Sequence, residues 1–180
     1  MKKLNVRNLA TCGLLIAFSV VLSRFASFRF AIGGVENIRF GLGTLPIMLS
    51  GILFGPIFGG LVGICADLLG MVVSPMGAYM PQFTFVSMLY GVIPPLFCFP
   101  FQFSSYKTQM SYRLRVYFGI FLGQAIPQLL FLPYFQLILF KVPYTLSFIP
   151  RLITVPIQFL VSLLVFSFLL RVFKESISGR

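Results

Sequence analysis

The chain has 180 residues, a single domain's length, of which 58% are hydrophobic and only 9% charged. Soluble domains run at roughly 45–50% apolar and about 25% charged. An ordinary cytosolic enzyme, a disordered chain and a disulfide scaffold are therefore excluded, and a mean hydropathy of +0.99 calls for lipid as the solvent. The net charge of +11 does not point to nucleic acid, because the bases sit at the ends of apolar runs and form no basic face.

The expected fold class is an all-α membrane protein, one integral membrane domain over residues 1–180. A span needs about 20 apolar residues, and six segments qualify. The first covers about 8–26. It follows Met1-Lys2-Lys3 in the manner of a secretory signal, but apolar segments continue to residue 173, so it reads as a retained helix. Ala10, Gly13 and Ala17 form a small-residue stripe on it, a docking face for another membrane helix or an internal packing seam.

The loop that follows interleaves Arg24, Arg29 and Arg39 with Phe25, Phe28, Phe30 and Phe40. Guanidinium groups fork onto carboxylates and stack on flat rings. Five outward bases (these three with Lys141 and Arg151) against one outward acid, Glu36, imply an anionic ligand, although any single Arg could snorkel at a helix end.

The second segment is about 40–54 and contains Pro46; the third is about 57–73. Gly51, Gly55, Gly59 and Gly63 recur every four residues, with Pro56 marking the turn. On the third segment Gly59, Gly63, Asp67 and Gly70 share one stripe, which turns Asp67 into the bundle. An acid at membrane depth is a functional candidate or a structural partner of a nearby group.

Residues 74–85 carry Pro75, Gly77 and Pro81, which argue against a regular helix. With Tyr79, Gln82, Phe83 and Thr84 the segment reads as an aromatic pocket wall with polar tips, or as an interfacial aromatic belt. The remaining segments are about 81–103, 115–140 and 149–173. Pro127, Pro133 and Pro156 inside them fit either kinks or a cavity.

With the N-terminus inside, nine bases are cytoplasmic and five outward, so both termini lie in the cytoplasm. No nucleophile elbow, metalloprotease motif, carboxylate pair or phosphate-binding GxxxxGK[ST] is present, and there is no His. No enzyme activity, metal site or cofactor is expected. Cys12, Cys65 and Cys98 read as buried free thiols.

Several stretches together resemble the substrate-binding S component of energy-coupling factor (ECF) vitamin transporters, above all the folate-specific FolT family. They are Ile38-Arg39-Phe40-Gly41 with Leu45-Pro46, Leu53-Phe54-Gly55-Pro56, Gly59-Gly60-Leu61-Val62-Gly63, Ala66-Asp67-Leu68-Leu69-Gly70, Pro75-Met76-Gly77-Ala78-Tyr79, Pro81-Gln82-Phe83-Thr84, and Pro150-Arg151-Leu152-Ile153 with Pro156-Ile157-Gln158. Gln82 stands where the folate pattern usually has Gly.

The resemblance implies six membrane helices around a vitamin pocket near the outer face. It also implies docking through the first helix, and a transmembrane coupling protein with two ATPase subunits as the motor. Arg24, Arg39, Asp67, Tyr79, Gln82, Phe83, Thr84 and Arg151 are the expected ligand-binding residues, with Ala10, Gly13 and Ala17 facing the partner. The expected partners are folate or a related anionic vitamin, the ECF module and the bilayer of a prokaryotic cell membrane. Another vitamin (pantothenate or a deazapurine precursor) and a stand-alone ion-coupled permease remain open as alternatives.

Overall fold

The computed structural model describes residues 6–25, 27–32, 35–73, 79–98 and 109–178. Within them run α1 (Val6–Phe25), strands β1 (Ser27–Ile32) and β2 (Val35–Gly41), α2 (Thr44–Phe54), α3 (Pro56–Val73), α4 (Pro81–Cys98) and α5 (Gln109–Ile126). A π-helical turn over Pro127–Phe131 then leads into α6 (Leu132–Phe140), and α7 (Tyr144–Ser178) ends the series. Counting α5, the π turn and α6 as one continuous rod, the described residues form six helical rods. Four are long and apolar enough to cross a membrane: Asn8–Phe25, Pro56–Val73, Leu114–Phe140 and Tyr144–Ser167, with α2 as a shorter apolar helix.

The first loop departs from the all-helical expectation. It folds as an antiparallel hairpin in which Ile32 pairs with Val35 and Ser27 with Gly41, with a bulge between Phe30 and Ala31. The physical reason is visible in the residues. Phe28, Phe30 and Ile32 alternate with Ser27, Arg29 and Ala31, and Gly33-Gly34 punctuates the two runs. That period of two suits a strand and not a helix.

The hairpin delivers the chain into α2 below the top of α1. Ser19 Oγ donates to Gly43 O at 2.7 Å, six residues before α1 ends. α2 has 11 residues. A single residue joins α2 to α3. Gly55 takes φ 106°, a conformation open to glycine, and its N–H caps α2 on Gly51 O at 2.8 Å. Pro56 then opens α3, where its missing N–H costs nothing.

The bundle is tightest where α2, α3 and α4 meet. A Cβ added at Gly59 would lie 2.6 Å from Gly51 Cα and 2.9 Å from the Gly91 carbonyl carbon; one at Gly63 would lie 2.8 Å from the Ser87 carbonyl carbon. These partners run upward on α3 and downward on α4, so the two helices are antiparallel and in backbone contact. Lipid offers no hydrophobic drive between helices, and close approach of small residues supplies the packing instead. Around this seam the core gathers Met48, Val62, Ala66, Val86, Tyr90, Val116, Ile120 and Phe166.

Cys12 is buried as expected, whereas Cys65 is only half-buried; the side chain of Cys98 lies outside the described residues.

Candidate functional site

The α3–α4 seam ends in a polar relay. One turn beyond Gly63, Asp67 Oδ2 accepts a 2.7 Å hydrogen bond from Thr84 Oγ1. The Tyr79 hydroxyl lies 3.1 Å from Thr84 Oγ1 and can donate to it in turn. Thr84 is buried and Asp67 half-buried. One turn further along α3, Gly70 faces the Arg24 guanidinium of α1, where a Cβ would sit 3.0 Å from Nη2. Tertiary packing thus brings together Arg24, Asp67, Tyr79 and Thr84 from three stretches of chain.

Gln82, Phe83 and Thr84 are helical, contrary to the expectation of an irregular segment through residue 85. Pro81 occupies the first position of α4, where proline is pre-organised for a helix and does not break it. The buried Oε1 of Gln82 has no hydrogen-bond partner among the described residues. Residues 74–78, including Pro75 and Gly77, lie outside the described residues. Arg39 is placed by its backbone on β2, opposite Arg29 in the register; the side chains of residues 26–40 lie outside the described residues.

Arg151, expected among the ligand-binding residues, lies inside the bundle. It sits on α7, only 6% exposed, and its Nη2 donates to Gln136 Oε1 of α6 at 3.0 Å. Its electrostatic neighbours are the hydroxyls of Tyr90 on α4 and Tyr144 at the start of α7.

A second polar seam, which the sequence reading passed over, runs down the interior between the α5–α6 rod and α7. Gln128 Nε2, inside the π turn, donates to Gln158 Oε1 at 2.8 Å. Gln158 Nε2 reaches Gly41 O at 3.2 Å and Thr44 Oγ1 at 3.3 Å, which ties the foot of the hairpin to α7. Gln124 Nε2 bonds Ser162 Oγ, and Ser162 donates to Gln158 O at 2.8 Å.

The signal was available. Gln124 and Gln128 are four residues apart, and Ser147, Arg151, Thr154, Gln158 and Ser162 follow at helical spacing along a largely apolar stretch of α7. A π turn adds one residue per turn and often accompanies a functional site; Pro127 heads this one. Rings lie near the same seam: Phe85 meets Phe131 edge-on at 5.8 Å, and Phe131 meets Phe135 at 6.2 Å. Aromatic walls with a few fixed polar groups are the chemistry of a small-molecule pocket.

The family model for the S component of ECF-type riboflavin transporters matches residues 3–175. The chain belongs to the S components of ECF-type transporters. This S component is 39% identical over 97 residues to the folate transporter FolT of Clostridium novyi (strain NT), an overlap of 54% of this chain and 52% of that protein. It therefore spans about half the length of the curated relative it matches.

Among solved structures, FolT bound with folic acid superposes with a TM-score of 0.72 at 27% identity, covering 89% of this chain and 90% of that one. The S component of a bacterial ECF transporter superposes with a TM-score of 0.66 at 21% identity over 95% and 97% of the two chains, a likeness of fold. An S component is a transporter subunit, and the apolar helices make this one a membrane protein.

Proposed function

We propose that this S component captures folate at the outer face of a prokaryotic cell membrane and hands it to a separate motor. Its six rods cross the bilayer as one domain with both termini in the cytoplasm. The pocket opens at the end of the bundle that carries the hairpin, the start of α4 and the α6–α7 connection. The observation that carries the reading is the likeness to FolT bound with folic acid, extending over 89% of the chain.

The side chains suit such a ligand. Folate joins a flat pterin to a glutamate tail. The Phe85–Phe131–Phe135 cluster offers ring faces for stacking. Asp67, with Thr84 and Tyr79 behind it, offers a carboxylate to the N–H-rich ring edge. Gln82 adds an orphan acceptor and Phe83 apolar wall. Arg24, Arg39 and Arg151 supply the positive charge for the tail.

The motor is a transmembrane coupling protein with two ATPase subunits, docked on α1. Ala10, Gly13 and Ala17 are all exposed there, and a Cβ added at Gly13 would meet nothing within 4 Å. That stripe therefore faces away from the bundle, where another helix can approach closely.

Titration of the detergent-purified protein with folate and with riboflavin tests the reading. Folate is expected to bind and to raise the melting temperature, as any ligand of the folded state does. One further reading has an observation behind it: the matching family model is described by riboflavin. Riboflavin is flat but neutral and leaves the arginines without a counter-charge. Binding of riboflavin and not folate would overturn the folate assignment.

A further inference from the structure

Inside the bundle, away from the Asp67 relay, the Arg151 cation is buried, and its partners among the described residues are neutral. Arg151 is 6% exposed, Gln136 8% and Ser147 0%. Gln136 Oε1 takes one guanidinium nitrogen, Nη2, at 3.0 Å. The other, Nη1, is buried with no hydrogen-bond partner among the described residues, and so is Ser147 Oγ. Ser147 and Arg151, the residues that carry these two atoms, lie one turn apart on the same face of α7.

The chain has three acids to answer this charge. Asp67 is engaged by Thr84 on the α3–α4 seam. Glu175 lies on α7 about 36 Å along the axis from Arg151. Glu36 is on β2. A buried charge with no opposite charge is costly, and orphaned donors add to that cost.

We propose that Arg151 and Ser147 form a carboxylate subsite, with Gln136 as the positioning residue that fixes the guanidinium plane. The ligand's own carboxylate completes the ion pair. One carboxylate oxygen takes Arg151 Nη1, and the Ser147 hydroxyl donates to the same group. On the folate reading, on which only the ligand's identity rests, the occupant is a carboxylate of the glutamate tail. The charge requirement itself belongs to these residues whatever vitamin is bound.

The test uses the full chain purified in detergent, with folate and its neutral diamide as paired probes. Arg151→Gln is expected to weaken folate about 10- to 100-fold, the scale of a charge-assisted pair. It is expected to leave the diamide within about twofold and the ligand-free melting temperature no lower than wild type. Ser147→Ala, which removes a hydroxyl that bonds none of the described residues, follows the same pattern with a smaller loss and serves where Arg151→Gln does not fold. Glu36→Gln leaves the ligand-free melting temperature and the Arg151 dependence unchanged.

Equal losses for folate and diamide would overturn the subsite. So would unchanged folate affinity in Arg151→Gln, or a Glu36→Gln variant that abolishes the Arg151 effect. Pantothenate and biotin separate the two readings. If one of them binds with this Arg151 dependence and folate does not bind, the folate assignment falls and the subsite stands. Binding of riboflavin alone removes both.

Discussion

Gly59→Ala places one methyl group at the tightest point of the bundle. Its Cβ would sit 2.6 Å from Gly51 Cα on α2 and 2.9 Å from the Gly91 carbonyl carbon on α4. Carbon atoms rest at about 3.5–4.0 Å, so the helices must part by about 1 Å. Both obstacles are backbone, so no side-chain rotation relieves them. Overpacking of this kind costs about 1–3 kcal/mol, and backbone on two sides puts Gly59 near the upper figure. At about 2–4 °C per kcal/mol for a chain of this size, the melting temperature should fall by roughly 6–12 °C. Gly13→Ala is the control, since its methyl meets nothing within 4 Å and alanine is the better helix former. Thermal unfolding of both variants in one detergent reads the difference. A Gly59→Ala protein that melts with Gly13→Ala would refute backbone contact at the seam.

Gln128→Leu and Gln158→Leu each strand the partner amide, at a cost of about 1–3 kcal/mol. The double variant should lose less than the two singles added, and strictly additive melting shifts would contradict the 2.8 Å pair. Thr84→Val removes the donor to Asp67, so the melting temperature and folate affinity should both drop while Thr84→Ser retains them; a valine variant equal to wild type would dismiss the relay. Gly13→Leu and Ala17→Leu should bind folate normally in detergent yet fail to transport it in liposomes carrying the coupling module. Normal uptake by both would rule out docking through this face of α1.

Much of the helical layout is legible in the residues because lipid imposes a simple rule. Backbone groups must be satisfied within the segment, so long apolar runs become helices, and the helices fall on the apolar runs of the chain. The stripe of Gly59, Gly63, Asp67 and Gly70 was readable for the same reason: a period near 3.6 puts these residues on one face, and the small ones must be where another helix comes close. The hairpin was legible too, in the alternation of residues 27–32 around Gly33-Gly34, but a search for spans passes over a period of two. Pro81 shows the opposite error. As a residue type it reads as a breaker, and only its position at the head of α4 makes it a helix starter.

The sequence by itself determined the solvent, the helical segments and the small-residue faces, since these follow from composition and local periodicity. Which side chains meet was decided by the tertiary structure alone. Asp67 and Thr84 are 17 residues apart, Gln128 and Gln158 are 30, and Gln158 reaches a carbonyl 117 residues earlier in the chain. No local period encodes such pairings. They exist because antiparallel helices that touch at glycine bring distant turns to one level, and because a polar group sealed from water must find its partner wherever the packing puts one.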